Sequence, residues 1–264
     1  MQGTAKPKGF AKIWREIKRL FREKNSSRKE KFEVSPEWIL AQERISKSQN
    51  MVDLGCGASP HKHAKVGVDW FVEPEHRALG TGKRIDPDEM LKHGVKFVHA
   101  SLESLPFSDK EFDFSYSHHV IEHVEHPHLA CEEIMRISRE GVIICPSAFA
   151  ETAFGRPYHL WQVHTRGNTL IFIRKRKIDN CPFGKTPVPY SQGKMIADQE
   201  TNPFDILLND GYWYHGSESM HRLSKKLRHL WYSHSPVVEV VFNWSEKFNY
   251  IIIDENGNII QNYH

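Results

Sequence analysis

Five short runs constrain the fold more than any other feature of this chain: "MVDL" (51–54), "KVGVDW" (65–70), "VKFVHA" (95–100), "FDFSYS" (112–117) and "GVIICP" (141–146). Each is rich in apolar side chains and bounded by turn residues, as strands buried inside a parallel sheet are. Helical patterns alternate with them. "SPEWILAQERI" (35–45) opens with an N-cap serine and a proline suited to the first helical position. "HPHLACEEIMRISREG" (126–141) places Leu129, Ile134 and Ile137 on one side, and Gly141 is the expected helix stop. Strands alternating with helices predict an α/β fold: a Rossmann-like, doubly wound sheet with a mainly parallel core. In such sheets ligands lie beyond the carboxyl ends of the strands.

The alternation breaks from about residue 147 to 235. "YHLWQVHTRGNTLIFIRKRK" (158–177) reads as a hairpin turning at "RGN", "CPFGKTPVPYSQG" (181–193) as a loop, and "MHRLSKKLRHLW" (220–231) as a helix with a basic face. This region is expected to be an inserted hairpin and helix cap on the substrate side. Two further strands, in "PVVEVVFNW" (236–244) and "FNYIIID" (248–254), are then expected to finish the sheet, the last strand antiparallel.

The total charge of +3 is unevenly spread. Residues 1–31 hold eleven Lys and Arg against three Glu, a net of +8, which leaves −5 for the rest. There Phe10, Ile13, Trp14, Ile17, Leu20 and Phe21 repeat at helical spacing among basic residues. The expected organisation is a basic amphipathic tail over 1–34 and one domain over 35–264. Packing of the tail on the body is the favoured arrangement, and peripheral contact with an anionic membrane is the alternative. No run approaches the roughly 20 apolar residues of a membrane span. The four cysteines form neither a CxxC pair nor a disulfide framework, and no apolar leader precedes the tail, so the expected location is cytoplasmic.

"MVDLGCGASP" (51–60) ends a strand in an acid and two glycines, a loop bare enough for a ligand to lie along its backbone. A dinucleotide fingerprint would need a third glycine where Pro60 stands, which disfavours NAD. Asp69 ends the second strand, where a carboxylate can accept hydrogen bonds from both hydroxyls of a ribose.

Taken in order, "DLGCG", "LPF", "FDFSYS", "IEHVEHP" and "RISREG" resemble the class I S-adenosylmethionine-dependent methyltransferases over residues 51 to about 146. The resemblance implies S-adenosylmethionine as cofactor. It puts Asp53, Gly55 and Gly57 against its methionine and ribose parts, and Asp69 on the ribose hydroxyls. Family members often carry an acid at the position of Ser101 to bond the adenine amino group. Serine stands there in this chain, leaving the amide of Leu102 to serve the ring. Ser117 and His118 would face the methionine end.

Methyl transfer from a sulfonium is an in-line displacement that gains from positioning, with a base where the acceptor is a hydroxyl or a protonated amine. "SHHVIEHVEHPH" (117–128) holds five histidines, and His119 and His123 are the candidate catalytic bases. A helix starting near His119 would set His119, Glu122 and His123 on one face. Two imidazoles and a carboxylate can bind a metal, but three residues from one helix rarely complete a site, so no metal is expected. Tyr158, His159 and Trp161 could stack on an acceptor, although burial in the hairpin is favoured.

The expected function is therefore methyl transfer to oxygen or nitrogen of a small-molecule, glycan or lipid-linked acceptor. The alternatives are a non-catalytic binding or scaffold protein of this fold and a nucleic-acid methyltransferase. The latter is disfavoured because "SYSHH" stands after the fourth strand instead of an Asn-Pro-Pro-Tyr type of motif.

Overall fold

A computed structural model describes residues 35–73, 83–154, 159–175 and 235–263. The basic tail, the proline-rich loop and the helix expected over 220–231 lie outside these residues. Helix α1 (Pro36–Lys47) starts where expected: the Ser35 hydroxyl accepts from the Trp38 amide at 3.1 Å, and Pro36 fills the first turn. Ala41 and Ile45, one turn apart, are its buried face. Strands β1 (Met51–Leu54), β2 (Ala64–Asp69), β3 (Lys96–His99), β4 (Phe112–His118) and β5 (Ser138–Pro146) correspond to the five runs. They join β8 (Glu239–Ser245) in a six-stranded sheet of order β3-β2-β1-β4-β5-β8. Every pairing is parallel except β5 with β8. The strand order reverses between β1 and β4, so the carboxyl ends of these two strands flank a natural ligand crevice.

Side-chain alternation splits the core between the two faces of the sheet. Met51, Phe114, Val142 and Ile144 pack with Ala41 and Ile45 of α1. Val52, Leu54, Ile143 and Cys145 pack with Ala130, Ile134 and Ile137 of helix α3 (Pro127–Ile137). A short helix, α2 (Pro87–Lys92), precedes β3, with the Asp86 carboxylate accepting from the amides of Asp88 and Glu89.

The hairpin forms as expected from β6 (Trp161–Arg166) and β7 (Thr169–Arg174), with Gly167 at φ 57° in its turn. It is not a free-standing insertion. Strand β9 (Asn249–Ile253) runs parallel to β7 and pairs with β10 (Ile259–Tyr263). Together they make a second sheet of order β10-β9-β7-β6. Only β8 of the two expected closing strands finishes the main sheet. The reason is on α3, where the Phe248 amide meets Met135 Sδ and the Tyr250 hydroxyl donates to Glu132. These contacts turn the chain away from the β5 edge after Ser245.

Two local expectations are corrected. Helix α3 stops at Ile137 and the chain enters β5 at once, so Gly141 lies inside a strand. A Cβ there would meet the Ser115 carbonyl oxygen at 2.4 Å, which is why glycine is needed. No helix begins at His119, whose φ of 56° starts a turn instead. Helices α4 (Ala148–Phe154) and α5 (Ser235–Val238) flank the link from β5 to the hairpin and the entry to β8.

Candidate active site

At the carboxyl end of β1, Asp53 is buried and accepts a hydrogen bond from the His61 amide at 2.7 Å. Burial pushes its carboxyl up to about 7, with the charge of Asp69 adding and the His61 amide opposing. The glycine loop is folded onto β2. Gly55 and Cys56 donate to the Val68 carbonyl at 2.7 and 3.0 Å, and Gly57 donates to Asp69 Oδ2 at 2.8 Å. Asp69 Oδ1 accepts from the Phe71 amide at 2.8 Å, so each carboxylate oxygen holds a backbone amide.

Both glycines need their positive φ, 80° and 56°. At Gly55 the space is taken by the protein itself, because a Cβ would stand 2.1 Å from Val120 Cγ2. The bareness of the loop there serves its packing before it serves any ligand.

Ser101 forms a tight bridge with Ser104, its hydroxyl accepting from the Glu103 amide at 3.2 Å, and Leu102 beside it is buried. At the end of β4 the Ser117 hydroxyl is buried and has no hydrogen-bond partner among the described residues. His118 follows, with Nδ1 at 3.2 Å from the Tyr116 hydroxyl and Nε2 at 3.6 Å from Glu239.

His119 sits between two carboxylates. Its Nδ1 lies 3.2 Å from Glu122 and its Nε2 3.4 Å from Glu239, while its amide donates to Ile144. Burial by itself would lower its pKa, but hydrogen bonds and charge from the two carboxylates raise it to about 9. Burial likewise pushes Glu122 and Glu239 up, and the histidines around each overcome it and hold both near 2. Glu122 and His123 are adjacent in the turn, with His123 Nε2 at 3.7 Å from Glu122 Oε1. The expected closeness of His119, Glu122 and His123 is therefore present, built by a turn and not by a helix face.

The Glu122 carbonyl accepts from the amides of Leu160 and Trp161, which seats the start of the hairpin on this turn. As a result His159 packs edge-on to His123, ring centroids 4.6 Å apart. His159 Nδ1 is 2.6 Å from Glu151 of α4, whose other oxygen accepts from Lys175. His159 and Trp161 are buried, as the hairpin reading favours, and the Trp161 indole donates to the Val124 carbonyl. Tyr158 lies outside the described residues.

Sequence reasoning missed Glu239 and Glu151. Glu239 enters from the first residue of β8, and Glu151 from a helix with no distinctive pattern. Neither has a local signal, since each becomes part of the site only through strand pairing and hairpin docking.

Residues 52–145 match the family described as methyltransferase domain. An uncharacterised methyltransferase of Schizosaccharomyces pombe is 28% identical over 111 residues, 38% of this chain and 40% of that protein. A demethylmenaquinone methyltransferase of Paenarthrobacter aurescens is 31% identical over 100 residues, 37% of each chain. The chain thus spans about 40% of the length of the curated relatives it matches. Among solved structures, an S-adenosylmethionine-dependent methyltransferase from Mesorhizobium loti is similar at 18% identity and TM-score 0.32, over 55% of this chain and 67% of that one. The stretch from β1 to β5 is accordingly similar to the methyltransferase domains of these relatives.

Proposed function

We propose that the protein transfers a methyl group from S-adenosylmethionine to oxygen or nitrogen of a small-molecule, glycan or lipid-linked acceptor. The observation that carries this reading is the pair of carboxylates, Asp53 and Asp69, at neighbouring strand ends on either side of a glycine loop. The residues fit the cofactor. Asp53 is a buried carboxylate raised to about 7, a state that an ammonium group beside it would relieve. Asp69, held at the end of β2 by the Gly57 and Phe71 amides, is a carboxylate of the kind that accepts from ribose hydroxyls. When bound, S-adenosylmethionine supplies an activated methyl on a sulfonium.

Asp53, Gly55 and Gly57 hold the methionine and ribose parts, Asp69 the ribose hydroxyls, and Ser101 with the Leu102 amide the adenine. The buried Ser117 hydroxyl, lacking a partner among the described residues, and His118 complete the methionine end. Both ring nitrogens of His119 face carboxylates, an arrangement that favours orienting Glu122 and Glu239 over serving as the base. Activation of the acceptor falls to the group around His123. Relatives named demethylmenaquinone methyltransferases favour a small-molecule acceptor.

Calorimetry with S-adenosylmethionine tests the reading. The wild type should bind it, and Asp69→Asn, which retains an oxygen for the Gly57 amide, should weaken binding about tenfold or more, the scale of a charge-assisted hydrogen bond. Absence of binding by the wild type would remove the proposal. Labelled-methyl transfer into fractionated cell extract then identifies the acceptor class.

A further inference from the structure

Glu122, His123 and His159 form a cluster that the methyl-donor site does not use. Their ligand atoms all lie within 4.8 Å of one another, and the first and last residues are buried. They come from two separate parts of the chain, the turn after β4 and the residue just before the hairpin. The hydrogen bonds from Leu160 and Trp161 to the Glu122 carbonyl fix one against the other. A third ligand arriving from outside the turn removes the objection to a metal that applies to three residues from one helix.

Two observations point to a cation there. Glu122 Oε2 is buried with no hydrogen-bond partner among the described residues, while Oε1 faces His119. An ionised oxygen in that position is costly unless something positive meets it. The second is the support behind His159. Its Nδ1 lies 2.6 Å from Glu151 Oε2, a contact that fixes the orientation of the ring. A carboxylate behind an imidazole is the usual outer support of a metal-bound histidine.

We propose that Glu122, His123 and His159 bind a divalent ion of the zinc class. Two imidazoles and one carboxylate suit zinc, cobalt or iron; magnesium and calcium prefer oxygen ligands. Zinc bonds of about 2.0–2.1 Å in a tetrahedron space the donor atoms by about 3.3–3.4 Å. The 3.7 Å between His123 Nε2 and Glu122 Oε1 is within a few tenths of that, so modest side-chain movement completes the site. Three protein ligands leave a fourth position for water or for the oxygen or nitrogen of an acceptor, whose pKa the ion would lower. The role in activation rests on the methyl-transfer reading, but binding of the ion does not.

The test uses the full chain, stripped with a chelator and titrated with Co2+, whose visible absorption reports coordination. The expected result is uptake of one ion per chain with the intense bands of a tetrahedral site, displaced by Zn2+. His123→Ala and His159→Ala should abolish those bands. Glu151→Gln keeps all three ligands and should weaken affinity about 10–100-fold, so the proposal stays testable if a ligand variant fails to fold. Absence of a tetrahedral band, or the same band and affinity in His159→Ala and Glu151→Gln, would overturn it. Calorimetry of the stripped protein with S-adenosylmethionine tests the donor reading separately, since that site shares none of these ligands.

Discussion

Asp53 is buried at the end of β1 with the His61 amide as its one hydrogen-bond partner among the described residues, and this has a titration consequence. Its pKa is raised from 3.8 to about 7 in the folded chain, so between these values the folded state keeps a proton that the unfolded state has released. That contribution to stability is complete below pH 4 and is lost as pH rises toward 7. A cationic ligand group beside Asp53 selects the ionised form, so affinity should run the other way. Calorimetry should show S-adenosylmethionine binding weakening by up to about tenfold per unit as pH falls below 7. Asp53→Asn should bind weakly at every pH with that slope gone. A slope unchanged in the variant would assign the proton elsewhere.

Gly141 shows at the level of an element how a local signal is overruled. A glycine after an apolar helical stretch is a common helix stop, but here it is the point where β5 squeezes between β4 and β8. A Cβ would meet Ser115 at 2.4 Å and the Trp244 indole nitrogen at 2.9 Å. Gly141→Ala should therefore destabilise the protein by about 2 kcal/mol or more, read as a lowered denaturant midpoint, because the β4 backbone at Ser115 cannot yield and the Trp244 indole closes the other side. A midpoint within error of the wild type would mean the sheet relaxes there. The five strands, α1 and the start of the hairpin were legible because burial and capping leave local traces in composition. So were Asp53 and Asp69, which sit where strands must end. The turn at His119 was not, since Val120, Ile121 and Val124 space like a helix while the backbone obeys its contacts with Ile144 and Leu160. His159 was seen only as an aromatic, because its place beside Glu122 depends on how the hairpin docks.

At the scale of the molecule, the two sheets share one core through α3, and the last strands differ sharply in what they contribute. Phe248, Tyr250 and Ile252 are essentially fully buried, while Ile259 and Ile260 of β10 are about 60% exposed. Burying three large side chains is worth roughly 5–9 kcal/mol, comparable to the whole stability of a typical domain. A chain ending after Asp254 should keep a cooperative melt at a modestly lower temperature. One ending after Ser245 should lose it. Equal melts for the two would show that the second sheet folds independently of β9.

Strand β8 both covers the open side of β5 and carries Glu239 to His119, 120 positions back along the chain. From the end of β5 at Pro146 to the end of β8 at Ser245 is 99 residues, which a ribosome at about 5–20 residues per second makes in roughly 5–20 seconds. Throughout that interval β5 has an uncovered row of amides and carbonyls, ready to accept a strand from another chain. Because closure and Glu239 arrive on one strand, a chain released too early is not simply one carboxylate short. It is also left open to foreign strands at the edge beside its pocket.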